Sequence, residues 1–193
     1  MEIRQPKTNY IAVPEVSSEN RKYVPIGFLT PDIIVSNKLF VIPNANLYHF
    51  GILTSVVHMA WMRSVCGRLK SDYSYSNKIV YNNFPWPDLS VECGVGRGKK
   101  KATESQEDYR KRVEARISLC AEEILSIRNR YPNSSLADLY SPLGMPADLL
   151  KAHKALDKAV MELYGYLPNM SESEIVADLM VRYQKLVEAE KSR

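Results

Sequence analysis

The feature that most limits how this chain can fold is a change of period near residue 46. Before it, apolar residues come in short runs broken by Pro and Gly. After it, Leu47, Phe50, Leu53, Val57 and Trp61 recur at steps of three and four, with Ile52, Val56, Met59 and Met62 on an adjacent face. This spacing predicts a helix of about 20 residues, from near Asn46 to near Cys66, apolar around much of its circumference. Such a helix is expected to be central and buried, with Gly67 placed to stop it. No apolar run reaches the roughly 18 residues of a membrane helix.

The segments before that helix read as strands and turns. Tyr10-Ile11-Ala12-Val13 is β-prone and stops at Pro14, and Tyr23 to Leu29 reads as an edge or bulged strand because it holds Pro25 and Gly27. Thr30-Pro31-Asp32 is a turn signal, and Ile33 to Ile42 contains two short apolar runs around Ser36-Asn37-Lys38. A Tyr-rich segment, Tyr73 to Tyr81, leads into Asn82-Asn83-Phe84-Pro85-Trp86-Pro87.

Beyond residue 104 the pattern is helical. Thr103 or Ser105 can cap a helix to about Arg130 with Val113, Ile117, Cys120, Ile124 and Ile127 on one face. Ser134 or Ser135 caps a short turn, Leu136 to Tyr140. Pro146 opens Ala147 to Tyr164, with Leu149, Leu156, Val160 and Leu163 inward and Gly165 as its stop. Ser171 with Glu174 forms a capping box for a last helix, Ile175 to about Glu190. Short connections between such helices suggest an antiparallel bundle.

Charge and aromatic content divide at the same place. Residues 1–90 carry nine Lys/Arg against six Asp/Glu, residues 91–103 four against one, and residues 104–193 thirteen against fifteen. Twelve of the eighteen aromatic residues precede residue 91. The contrast argues for two separately folding units: an α+β half over 1–88 and a helical bundle over 105–193. A Gly/Lys-rich connector, 89–104, is expected to be mobile and open to trypsin at Lys99, Lys100 and Lys101. Its Gly94-Val95-Gly96-Arg97-Gly98 run fits neither phosphate-binding spacing.

With 45% hydrophobic and 25% charged residues the chain has the balance of a globular protein. The three Cys are scattered, so a disulfide framework and a structural zinc site are not expected. Met1 to Pro6 lacks the apolar core of a signal peptide, which makes a reduced cytoplasm the expected compartment. No catalytic constellation is apparent. His58 reads as a packed core histidine, and His153, among Lys151, Lys154 and Asp157, as part of a solvated helix face. A basic, aromatic half without such a constellation suggests binding over catalysis.

Four stretches carry a family resemblance: Tyr10 to Glu19, Tyr23 to Leu29, His58 to Tyr73 and Lys78 to Pro87. Together they resemble the target-recognition domain of the MmeI-like (type IIL) restriction–modification enzymes. Leu136 to Tyr140, Met145-Pro146 and Lys151 to Asp157 resemble the C-terminal helical domain of the same proteins. The resemblance implies sequence-specific recognition of double-stranded DNA. The parent would be an adenine-N6 methyltransferase using S-adenosylmethionine, with a nuclease that needs Mg²⁺. It also implies the parent's methyltransferase and nuclease domains as partners. This chain lacks a nuclease motif, a cofactor motif and the Asn-Pro-Pro-Tyr catalytic motif, so it looks like a C-terminal piece that catalyses nothing alone.

By local motif, the resemblance also implies base-reading pairs. These are Glu15 with Asn37, Lys38 with Ser74, and Lys70 with Asp72. A carboxylate accepts from cytosine N4 and a lysine donates to guanine O6 and N7, so the implied partial target is 5′-CGAG-3′ with the adenine modified. Arg21, Lys22, Arg63, Arg68 and Lys78 are candidate phosphate contacts, which position a protein without reading sequence. Plainer roles stand beside these: Glu15 as a turn residue, Lys70 and Asp72 as a surface ion pair, and Trp61, Phe84 and Trp86 as core. The rival function is a structural module that docks on the parent's other domains without reading bases.

Overall fold

The computed structural model describes residues 5–90 and 98–192. Six short strands lie among the described residues before position 75: β1 (Tyr10–Pro14), β2 (Val16–Ser17), β3 (Gly27–Leu29), β4 (Leu39–Ile42), β5 (Gly67–Leu69) and β6 (Asp72–Ser74). They form two antiparallel sheets of three strands, β3-β1-β4 and β2-β6-β5. β1 is central in the first, with Ile11 opposite both Phe28 and Ile42. Tyr10, Ile11, Ala12 and Val13 are all buried, so both faces of this strand are covered. Only parts of the expected strands pair. Tyr23 and Val24 lie in the core without joining a ladder, and Ile33 and Ile34 are exposed outside any strand.

The apolar stretch after Asn46 forms two helices, not one. These are α1 (Leu47–Thr54) and α2 (Val56–Val65), parted at Ser55, where the backbone is extended. In an unbroken helix the Val56 N–H would bond the Ile52 carbonyl. Here it donates to Asp157 Oδ1 at 2.7 Å, and the Ser55 hydroxyl takes the Ile52 carbonyl at 2.7 Å. A carboxylate brought in from another helix thus caps α2. At its far end α2 passes through extended Cys66 straight into β5, so Gly67 begins a strand where a left-handed helix stop was expected. A π-helical turn, Asn77–Tyr81, follows β6.

The later helices start and stop at local signals. Ser105 caps α3 (Gln106–Asn129), and Ser135 with Asp138 forms a capping box on α4 (Leu136–Leu139). Pro146 precedes α5 (Ala147–Tyr164), which ends at Gly165 with φ 82°. Ser171 with Glu174 forms the capping box of α6 (Glu172–Lys191). No described helix is long and apolar enough to cross a membrane.

The two halves share one hydrophobic core. α3 packs against both α1 and α5, and α6 packs on α2. The bundle expected from the second half is therefore completed by helices of the first. Phe50, Leu53, Ile117, Leu156 and Leu179 belong to the same continuous cluster. Trp61 and Phe84 are buried within it, and Trp86 packs edge-on against Phe84 and His49. The part of the connector that is described is held: Gly98 is buried, and Arg112 donates to the Lys99 carbonyl at 2.8 Å. Lys99 and Lys101 are exposed there, while residues 91–97 lie outside the described range.

His153 is a further correction. It is fully buried, not solvated, with its ring stacked on Tyr23 at 4.2 Å and its Nε2 2.6 Å from the Tyr140 hydroxyl. Leu149 lies four residues before it and Leu156 three after, so the apolar face of α5 includes position 153.

Candidate nucleic-acid interface

Glu15 occupies the point where the chain leaves one sheet for the other. Its N–H donates to the Lys38 carbonyl at 3.0 Å, continuing the β1–β4 ladder, and its carbonyl accepts from the Tyr75 N–H at 2.8 Å, continuing β2–β6. This double use of the backbone fixes Glu15, Lys38 and the end of β6 beside one another. Lys38 Nζ stands 4.0 Å from Glu15 Oε2, with 78% and 42% of the two side chains exposed. An ion pair so open to water contributes about 0–1 kcal/mol, so both groups remain able to exchange it for other partners. Asn37 lies next to Lys38 in the exposed turn before β4.

Strand alternation sorts the second sheet. Tyr73 and Tyr75 are buried, so Asp72 and Ser74 point to the opposite, outer face. Ser74 pairs with Val16 and Asp72 with Leu69, and directly opposed residues share a face. Val16 and Leu69 are accordingly exposed, and apolar side chains flank the two polar ones.

Lys70 stands in the tight turn joining β5 to β6 with φ 57°, in the left-handed region that non-glycine residues rarely adopt. The turn is held by Arg68, whose Nη1 donates to the Ser71 carbonyl at 2.8 Å and whose guanidinium lies 4.2 Å over the Tyr73 ring. Arg68 also reaches Glu19 Oε2 at 3.4 Å. No ion pair joins Lys70 to Asp72 among the described residues. Asp72 Oδ1 instead accepts from the Glu19 N–H at 3.3 Å, and the residue is half-buried.

The structure thus gathers Glu15, Lys38 and Ser74 around the crossover, and Lys70 and Asp72 on the adjoining hairpin. The five cations considered for phosphate divide. Arg63 is engaged within the protein, donating to the Lys22 carbonyl and to Glu172 Oε2 of α6, the latter at 2.9 Å. Arg68 is engaged by the turn and Glu19. Lys22 and Lys78 are exposed, and Arg21 is half-buried with a buried Nε that meets no hydrogen-bond partner. Glu19, which orients both Asp72 and Arg68, was not singled out from sequence because nothing in its spacing marks it.

A second polar constellation, also unmarked in sequence, joins the halves in the interior. Tyr23 donates to Asp157 Oδ2 at 2.6 Å and stacks on His153. Tyr140 bonds His153 and accepts from Arg128 Nε at 2.9 Å, while Arg128 Nη1 donates to the Ile26 carbonyl at 2.8 Å. Burial, and then the nearby Arg128 and Lys22 charges, push the His153 imidazole down to about 3. Burial alone takes His58 down to about 3. Both rings are neutral packing elements with no access to solvent. No group of three His, Cys, Asp or Glu among the described residues could hold a metal ion.

Residues 1–88 match the MmeI target recognition domain and residues 107–189 the MmeI C-terminal domain. DNA methyltransferase A of Bacillus subtilis (strain 168) is 40% identical over 182 residues, covering 94% of this chain and 18% of that protein. A solved structure of the type IIL restriction–modification enzyme MmeI in complex with DNA superposes with a TM-score of 0.79 at 42% identity, covering 96% of this chain and 22% of that one. The chain therefore spans about a fifth of the length of these relatives.

Proposed function

Because the chain belongs to the MmeI family, carrying its target recognition and C-terminal domains, we propose that it recognises a specific sequence in duplex DNA on behalf of a larger restriction–modification enzyme. That enzyme would methylate adenine N6 in a bacterial cytoplasm, taking the methyl group from S-adenosylmethionine, and would need Mg²⁺ where it cleaves. No residue of this chain is assigned to either step. Its methyltransferase and nuclease domains would be the protein partners.

The observation that supports the reading is the clustering of the six base-reading candidates on the crossover, its neighbouring turn and the hairpin, with Asn37, Lys38 and Lys70 exposed and Glu15, Asp72 and Ser74 half-buried. Each supplies what a base edge in the major groove asks for. Lys70, raised on the turn, donates to guanine O6 and N7, and Asp72 accepts from the N4 amino group of the paired cytosine. Together they would read the base pair 3′ of the modified adenine. Lys38 with Ser74 would favour guanine on its 5′ side, and Glu15 with Asn37 cytosine one step earlier, giving 5′-CGAG-3′. Lys78, Lys22 and Arg21 would hold phosphates. The loose Glu15–Lys38 ion pair suits this role, because each partner can leave the other for a base at little cost.

The test is to graft residues 1–193 onto a related methyltransferase core and map the modified adenines. Lys70→Glu with Asp72→Arg should change the preferred 3′ base, since a good bidentate contact discriminates by about 1–3 kcal/mol, or roughly tenfold to a hundredfold. An unchanged 3′ preference would refute the assignment of that pair.

A further inference from the structure

The outer side of α5 carries three lysines, Lys151, Lys154 and Lys158, separated by steps of three and four and all exposed. Those steps align them on one helix face, over a length of about 10 Å. The carboxylates on the same helix and beside it have other partners, and Asp148, three residues before Lys151, accepts from the Tyr131 hydroxyl at 3.0 Å and lies 3.9 Å from Arg130. Glu162 pairs with Arg116 at 2.7 Å, Glu172 with Arg63 at 2.9 Å, and buried Asp157 is bonded to Tyr23 and Val56. Among the described residues no ion pair engages any of the three lysines. The stripe is therefore an unneutralised positive surface on an otherwise mildly acidic half.

It is also continuous with the base-reading side. Asp72 on the hairpin accepts from the Glu19 N–H. Lys22 follows three residues later, within at most about 11 Å of chain. Lys22 Nζ lies 5.4 Å from the ring centroid of Tyr23, which is stacked on His153 of α5. Arg63 donates to both the Lys22 carbonyl and Glu172, and Glu172 lines one surface depression with Lys154 and Lys158, so Lys22 stands between the hairpin and the lysine-bearing flank of α5.

We propose that Lys151, Lys154 and Lys158, with Lys22, form a second DNA contact that grips the phosphate backbone beside the sequence read by the β-rich half. This rests on the DNA-reading function argued above. Phosphates along one strand rise about 3.4 Å each, so the stripe matches the rise of roughly three of them. The helical half would then serve as more than a support, adding affinity that is blind to sequence.

The experiment compares the 193-residue chain with K151Q/K154Q/K158Q, and with the corresponding triple arginine variant, on duplex DNA over a salt series. All three side chains are exposed, and circular dichroism verifies that each variant is folded. Each phosphate contact contributes about 0.9 to the slope of log affinity against log salt, so the glutamine variant should lose roughly 2–3 from the slope. It should bind at least tenfold more weakly at low salt, on target and scrambled sequences alike, and the arginine variant should bind like the parent. Equal slopes for parent and glutamine variant would overturn the stripe while leaving the base-reading surface intact. A parent chain that binds no duplex at any salt would instead overturn the DNA-reading function and the stripe with it.

Discussion

At the scale of single residues, the interior is organised by polar groups that cannot ionise freely. His58 and His153 are both fully buried, and both stay neutral down to about pH 3. In the unfolded chain each takes a proton near its ordinary value of about 6.5. Below that value the unfolded state binds more protons than the folded one, so stability is complete above about pH 6.5 and falls as the pH drops. Each histidine contributes a slope of about 1.4 kcal/mol per pH unit, and both together roughly 3. Asp157 works in the opposite sense, because burial raises its carboxyl and the folded state then holds the proton longer; this offsets part of the loss at the acid end. Urea unfolding at neutral and mildly acid pH should show the decline, and His58→Gln should remove about half of it. A stability that stays level down to pH 5.5 would contradict this account. Asp157 also has a role independent of pH. Asp157→Ala would leave the Tyr23 hydroxyl and the Val56 N–H without their partner in the interior. The expected loss is about 2–4 kcal/mol, measurable in the same unfolding experiment.

At the scale of elements, what could be read from sequence was what is decided locally. Ser105, Ser135, Gly165 and Ser171 mark helix ends because a cap needs only a few neighbouring residues. The break at Ser55 could not be read, because the group that stabilises it, Asp157, lies 101 residues from Val56 along the chain. The burial of His153 was readable from its spacing to Leu149 and Leu156, but the flanking lysines obscured it. The base-reading candidates were recognisable from local motifs, whereas the hairpin that presents Lys70 and Asp72, and the Glu19 contact that orients Asp72, arise from strand pairing. Gly51 is a further case. It sits inside α1, where alanine would ordinarily add about 1 kcal/mol of helix stability. A Cβ there would stand 2.6 Å from Ile117 Cγ2 of α3 and 3.4 Å from both the Ile117 carbonyl and Leu156. Ile117 is β-branched and helical, so its rotamer cannot swing away. Overpacking of this kind costs about 1–3 kcal/mol and exceeds the propensity gain. Gly51→Ala should therefore lower thermal stability, and it should cost less in an Ile117→Ala background than in the parent chain, although Ile117→Ala itself opens a cavity. A G51A variant more stable than the parent would show that α1 and α3 can move apart freely.

At the scale of the whole molecule, the contrast between a basic, aromatic half and an acidic, aliphatic one does not separate two cores. Arg128 of α3 donates to the Ile26 carbonyl, Tyr164 of α5 to the Pro85 carbonyl at 3.0 Å, and Arg63 of α2 to Glu172 of α6. α1 fills the space between α3 and its surroundings, and α6 has its main helical partner in α2. Separated, each half would expose the apolar side chains that the other covers, Phe50 and Leu53 on one side and Ile117 and Leu156 on the other. Burying side chains of this size is worth about 1.5–3 kcal/mol each, more than enough to couple the halves. Unfolding should accordingly be one cooperative transition despite the change of composition at residue 91. Both tryptophans, Trp61 and Trp86, lie in the first half, while α3, α5 and α6 supply most of the helix. Tryptophan fluorescence therefore reports mainly on the first half, and far-ultraviolet circular dichroism mainly on the second. The two signals should give the same midpoint in urea, and Asp157→Ala, which cuts a link between the halves, should shift both together. Midpoints that differ, with the helical signal surviving after the tryptophans are exposed, would mean that α3, α5 and α6 close a core of their own. A coupled molecule also gives the α5 lysines a fixed bearing relative to the hairpin, as any DNA surface spanning both halves requires.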